Sequence, residues 1–192
     1  MIVPQALGGP GLPLSDGVIS LRLPVAADQA QVAGYAALPG GLDGGWLPLL
    51  PPLAPGRAGW LVEDWLAGWA GQPSHNGPAL VISPIGSLEL VGMVGFGSRD
   101  LGVVEMVYGV APGWRGQGVA RRAARRAARL AADWLTRLPG VEQVELRIGS
   151  AHLESQRAEV AAGFVRAGTV RDVVQQTGER YEDLRFTYVP LV

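Results

Sequence analysis

Residues 18–23, Val-Ile-Ser-Leu-Arg-Leu, alternate in a way that predicts a first strand. Apolar positions then return at the helical interval, modestly over 26–38 and more firmly over 58–70, where Trp60, Leu61, Trp65, Leu66 and Trp69 recur. The Pro/Gly-rich stretch 39–56 between them reads as a long connection, of a length that compact domains use for function or leave disordered. Residues 79–83 and 89–97 predict an antiparallel pair of strands leading into a third, 103–110. Beyond the loop 112–115, Ala120, Ala123, Ala127, Leu130, Ala131, Trp134 and Leu138 advance by three or four and form the apolar face of a long helix. A strand over 141–148 follows. Residues 165–173 and 181–189 then predict two closing strands joined by the polar turn Gln175-Gln176-Thr177-Gly178. Residues 1–17, rich in Gly and Pro without a period, predict a loosely held lead-in to a single domain over 18–192.

Composition narrows the class. A chain of 192 residues with 48% hydrophobic and 17% charged positions is able to bury a substantial core and does not match a disordered composition. No apolar run approaches the roughly 18 residues that would span a bilayer, and no basic n-region of a secretory signal opens the chain, so a cytoplasmic location without membrane contact is expected. The absence of cysteine removes disulfides, thiolate metal sites and a cysteine nucleophile, and no metal is expected. A formal net charge of −1 gives the whole molecule little attraction for nucleic acid. Arg121, Arg122, Arg125, Arg126 and Arg129 nonetheless line the second face of the long helix. They read either as a solvated face or as a polyanion site, with Arg121 placed to meet a phosphate.

The most informative segment joins strand 103–110 to that helix. Arg115-Gly116-Gln117-Gly118-Val119-Ala120 sets glycines at a helix start, where amide groups lack intrahelical partners and the helix dipole favours an anion, most simply a pyrophosphate. A dinucleotide fingerprint does not match, and with no lysine in the chain a P-loop is excluded. The segment resembles motif A of the GNAT superfamily of acyl-CoA-dependent N-acetyltransferases, Gln/Arg-x-x-Gly-x-Gly/Ala, with Arg115, Gly118 and Ala120 on its defined positions. The element order, His152-Leu153-Glu154-Ser155 and Gly163-Phe164 extend the likeness to the branch containing the ribosomal-protein N-terminal acetyltransferases.

That resemblance implies an α/β three-layer fold: a mixed, mostly antiparallel sheet of about six to seven strands with helices on both faces, splayed between its fourth and fifth strands, 103–110 and 141–148. It implies acetyl-CoA as co-substrate and a primary amine as acceptor, either a protein N-terminus or a small molecule; a homodimer is common in the superfamily. Pantetheine would lie in the splay beside Tyr108, Gly109 and Val110, with the Val110 amide polarising the thioester carbonyl. Residues 115–120 would cradle the diphosphate. Glu105 has two readings, a base acting through water or an exposed strand carboxylate. Ser155 is either the group that protonates the leaving thiolate or a helix cap and coenzyme-A contact. His152 stands where the branch has asparagine and keeps the ability to bond pantetheine. Glu159 stands where many members carry a tyrosine acid, which admits a coenzyme-A-binding module with degraded chemistry as an alternative. The tryptophans at 46, 60, 65 and 69 read as core rather than as an acceptor wall.

Overall fold

The structure, a computed structural model, describes residues 11–38, 58, 60–115, 119–173 and 180–190. The connection 39–56 with Trp46, the loop residues Gly116, Gln117 and Gly118, and the turn 175–178 lie outside the described residues. Along the chain run β1 (Leu14–Ser15), β2 (Ile19–Arg22), α1 (Asp28–Ala36), α2 (Trp60–Trp69), β3 (Ala79–Pro84), β4 (Gly92–Asp100) and β5 (Val103–Val110). A 3₁₀ turn (Pro112–Trp114) then leads to α3 (Val119–Leu135), β6 (Gln143–Gly149), α4 (Leu153–Ala162), β7 (Phe164–Val173) and β8 (Arg180–Tyr188).

One eight-stranded sheet takes the order β1-β2-β3-β4-β5-β6-β8-β7. Every pairing is antiparallel except β5 with β6. The eighth strand is β1, inside the stretch read as a lead-in. Its pairing, Leu14 with Leu21 and Ser15 with Ser20, is fixed by Asp16, whose carboxylate accepts the amides of Val18 and Ile19 at 3.0 Å each. A two-residue strand is too short to show a period, which is why the sequence pattern begins only at residue 18.

Strand alternation sorts side chains into two cores. Leu80, Ile82, Val94, Phe96, Val104, Met106, Val144 and Leu146 face α3. Ala79, Val81 and Met93 face the other way, onto Leu61, Val62 and Trp65 of α2 and Val32 of α1. Alanine carries the α3 contact: Ala123, Ala124, Ala127, Ala128, Ala131 and Ala132 are buried, and their small side chains let the helix axis come close to the sheet. This stripe is wider than the predicted face, and Leu130 sits at its half-buried margin. Trp65 is fully buried, and Trp69 packs against Phe96 and Trp134, with its indole N–H donating to the Ala79 carbonyl at 2.7 Å. Trp60 stays on the surface, edge-on to His75. Among the described residues no helix is long and apolar enough to cross a membrane.

Candidate active site

β5 and β6 pair in parallel only from Val103 with Gln143 to Met106 with Leu146. Beyond that point each strand follows its outer neighbour: β5 stays on β4 through Gly92 with Val110, and β6 stays on β8 through Gly149 with Asp183. The two strands therefore part, and the wedge between them is the mouth of a cavity of about 570 Å³, of a size that accepts a cofactor-scale ligand. The splay expected between these strands is present.

The cavity brings together Tyr108, Gly109 and Val110 from β5, Arg115 after the turn, Arg121 from α3, and His152 and Ser155 from α4. All seven are among the residues singled out in the sequence. Val119 and Ala120 open α3 as its first residues. Glu105 is not in the cavity wall. It lies one strand repeat before Val107, within the paired part of the seam, with its carboxylate 3.4 Å from Arg147 Nε, and Arg147 does line the cavity. Arg147, Asp183 and Ala158 join the wall without a motif to announce them. Arg147 and Asp183 reach it because β6 and β8 run side by side there, a tertiary pairing that no local pattern encodes.

Local bonding shapes the walls. Arg115 Nε donates to the Val110 carbonyl at 3.1 Å, tying the loop back to the strand it leaves. Trp114 Nε1 donates to the Tyr35 hydroxyl at 3.1 Å and anchors the same turn to α1. A Cβ on Gly92 would lie 2.2 Å from the Gly109 carbonyl oxygen, so only glycine permits this approach of β4 to the cavity wall. His152 occupies the N-cap position of α4, and Ser155 is the third residue of the helix rather than its cap. Arg121 Nη1 lies 3.2 Å from Glu154, which also accepts from Arg157 at 2.7 Å. Hydrogen bonds from Arg121 and then Arg157 hold this carboxyl below the usual range. Burial raises Asp183, against a downward pull from His152.

Behind the wall sits Glu159, fully buried on α4. Burial pushes its carboxyl up to about 8, opposed by the neighbouring Tyr108 hydroxyl. Tyr108 is raised well above the ordinary tyrosine value, first by burial and then by Glu159, with Ser155 pulling the other way. The sequence marked Glu159 only as a lost tyrosine; its burial was the missing signal.

The family model for the acetyltransferase (GNAT) domain matches residues 21–165, a span that holds both strands of the wedge and the helix that follows β5. The chain belongs to the GNAT acetyltransferase family. No curated protein matches it. Among solved structures it is similar to a GNAT-family acetyltransferase from Bacillus anthracis, at 14% identity and TM-score 0.68 over 92% of this chain and 97% of that one. It is also similar to a putative ribosomal-protein-serine acetyltransferase from Vibrio cholerae, at 15% identity and TM-score 0.68 over 94% and 99%. A third likeness is to the microcin C7 self-immunity acetyltransferase MccE, solved with acetyl-CoA and AMP, at 12% identity and TM-score 0.64 over 93% and 99%. At these identities the structures establish the shared fold.

Proposed function

We propose that this chain transfers an acetyl group from acetyl-CoA to a primary amine, a protein N-terminus or a small-molecule amine, by direct attack with both substrates bound. The observation that carries the reading is the wedge between β5 and β6, which opens toward the start of α3. Its contents suit an acyl-CoA. The cavity edge of β5, from Val107 to Val110, offers main-chain groups to an extended amide chain, while Arg115 and Arg121 supply positive charge where phosphates would lie. Acetyl-CoA contributes the activated acyl group.

The protein's part is to bind, orient and move protons. Main-chain donors at residues 115–120 take the diphosphate, and Arg121 leaves Glu154 for a phosphate. The Val110 amide polarises the acyl carbonyl, and His152 bonds the pantetheine arm. Glu105, held beside Arg147, takes the amine proton through water. Ser155, which lines the cavity, is assigned to the departing sulfur. The likeness to a ribosomal-protein-serine acetyltransferase keeps a protein N-terminus among the acceptors. A cytoplasmic homodimer belongs to the same reading, and light scattering tests the dimer.

Calorimetry with acetyl-CoA and free coenzyme A, followed by thiol release over a panel of amines and peptide N-termini, tests the whole. Association and turnover with at least one amine are expected. Absence of any heat with either ligand rejects the reading. Binding with no turnover on any amine leaves a coenzyme-A-binding module in its place.

A further inference from the structure

Among the described residues, the buried acids differ in one respect. Asp28 meets the Arg22 guanidinium at 2.7 and 2.9 Å, Asp64 accepts from His75 and Asn76, and Glu145 faces Arg185 and Gln143. Glu159 is as deeply buried, yet no cation pairs with it among the described residues, and the polar group beside its carboxyl is the Tyr108 hydroxyl, short of a well-formed hydrogen bond. An ionised carboxylate left so is costly, and the neutral acid is the form such a site favours. A fold needing only to fill this volume would be served better by an apolar side chain.

Its position supplies a use. Ser155 and Glu159 are four residues apart and share one face of α4, and both act on the Tyr108 hydroxyl of β5. Tyr108 and Ser155 reach the cavity, whereas Glu159 stands behind them. Resting on the acetyl-transfer reading above, we propose that Glu159 is a proton reservoir for the departing thiol, acting through Tyr108. As the carbon–sulfur bond breaks, the Tyr108 hydroxyl proton passes to sulfur and forms the S–H bond, while the Glu159 proton passes to the Tyr108 oxygen. The carboxylate left on Glu159 is reprotonated from solvent, to which Glu105 releases the proton it took from the amine nitrogen. Amine plus thioester thus become amide plus thiol with no other reactant.

The acid strengths suit the task. With its carboxyl lifted to about 8, Glu159 lies close to an alkyl thiol near 8.5. Tyr108 alone, raised as it is, would be a poor acid, but with Glu159 behind it the phenol never has to ionise. The titratable group that bears on Glu159 is Tyr108. Arg121 of α3 and Arg157 of α4 pair with Glu154, and Arg147 of β6 pairs with Glu105.

Glu159→Gln keeps the shape and removes the acid. Turnover is expected to fall about 100-fold, with KM and the calorimetric Kd for acetyl-CoA changed less than about twofold, and the fall of kcat above about pH 8 is expected to vanish. Tyr108→Phe should lose kcat comparably, and the double variant should lose little more, as expected of residues acting as a unit. Independently of activity, the infrared difference between wild type and Glu159→Gln should hold a protonated-carboxyl band at about pH 6 that fades as pH rises through about 8. The proposal is overturned by Glu159→Gln turning over within about threefold of wild type with its alkaline fall intact. It is equally overturned by absence of the carboxyl band. Should Glu159→Gln not fold, unchanged kcat in Tyr108→Phe overturns it. Wild-type protein that binds no acetyl-CoA removes the acetyl-transfer reading and this proposal together; wild-type turnover with an indifferent Glu159→Gln removes this proposal alone.

Discussion

Glu105 and Arg147 meet at 3.4 Å on the face of the sheet turned away from α3, and the pair joins the strand before the cofactor loop to the far wall of the cavity. If Glu105 carries the amine proton, Glu105→Gln matters most where the acceptor is largely protonated. Turnover should fall by about 100-fold near neutral pH, and the gap should narrow as pH approaches the acceptor's own pKa, about 7.7 to 8.0 for an α-amino group. A ratio of rates that stays flat across a pH series would leave Glu105 as a partner for Arg147 and nothing more. Glu159 makes a separate statement about stability. Its folded value, about 8, lies above the ordinary 4.5, so between those values the native state holds a proton that the unfolded chain has lost. The stability it contributes is complete below about 4.5 and disappears as pH rises through about 8. The melting temperature of wild type relative to Glu159→Gln should therefore decline across that window. An unchanging difference would mean that the carboxyl is not held neutral.

At the scale of elements, the cavity depends on how closely β4 supports β5. Alanine at position 92 would press its Cβ to 2.2 Å from the Gly109 oxygen, and backbone has no soft way to yield. Gly92→Ala should cost about 1–3 kcal/mol of stability and weaken acetyl-CoA association, because Gly109 and Val110 move with the displaced strand. Denaturant titration and calorimetry check the two effects, and unchanged affinity would show that the Val110 wall is not what holds the cofactor. The same elements explain what was legible in advance. Period two and period 3.6 are local, so β2 through β6, the two closing strands and the three longer helical patterns, including α3, were visible in the chain. The motif around Arg115 added its own site residues. Asp183 and Arg147 were not visible, because their place in the wall comes from the β6–β8 register. Nor was the burial of Glu159, which needs α4 laid against α3 and the sheet.

For the molecule as a whole, charge is nearly balanced, yet the arginines gather on α3. Arg126 pairs with Asp16 of the β1–β2 turn, Arg129 approaches Asp133 at 3.8 Å, and Arg122 and Arg125 are exposed. Exposed arginines of this kind contribute little to folding. Replacing Arg122 and Arg125 with alanine should leave the melting temperature within about 2 °C and acetyl-CoA affinity within about twofold. Salt-sensitive retention of wild type on DNA, abolished in that double variant, would instead assign the helix a polyanion. The parting of β5 from β6 reaches beyond catalysis. Four residue pairs are all that stitch the two halves of the sheet along this seam, and past them each rim carries peptide groups that the opposite rim does not answer. An unzipped hem of this kind suits a ribbon-shaped guest. Blockers of this protein are therefore better drawn as short strand mimics, with amides spaced to button into the open rim, than as flat aromatic plugs.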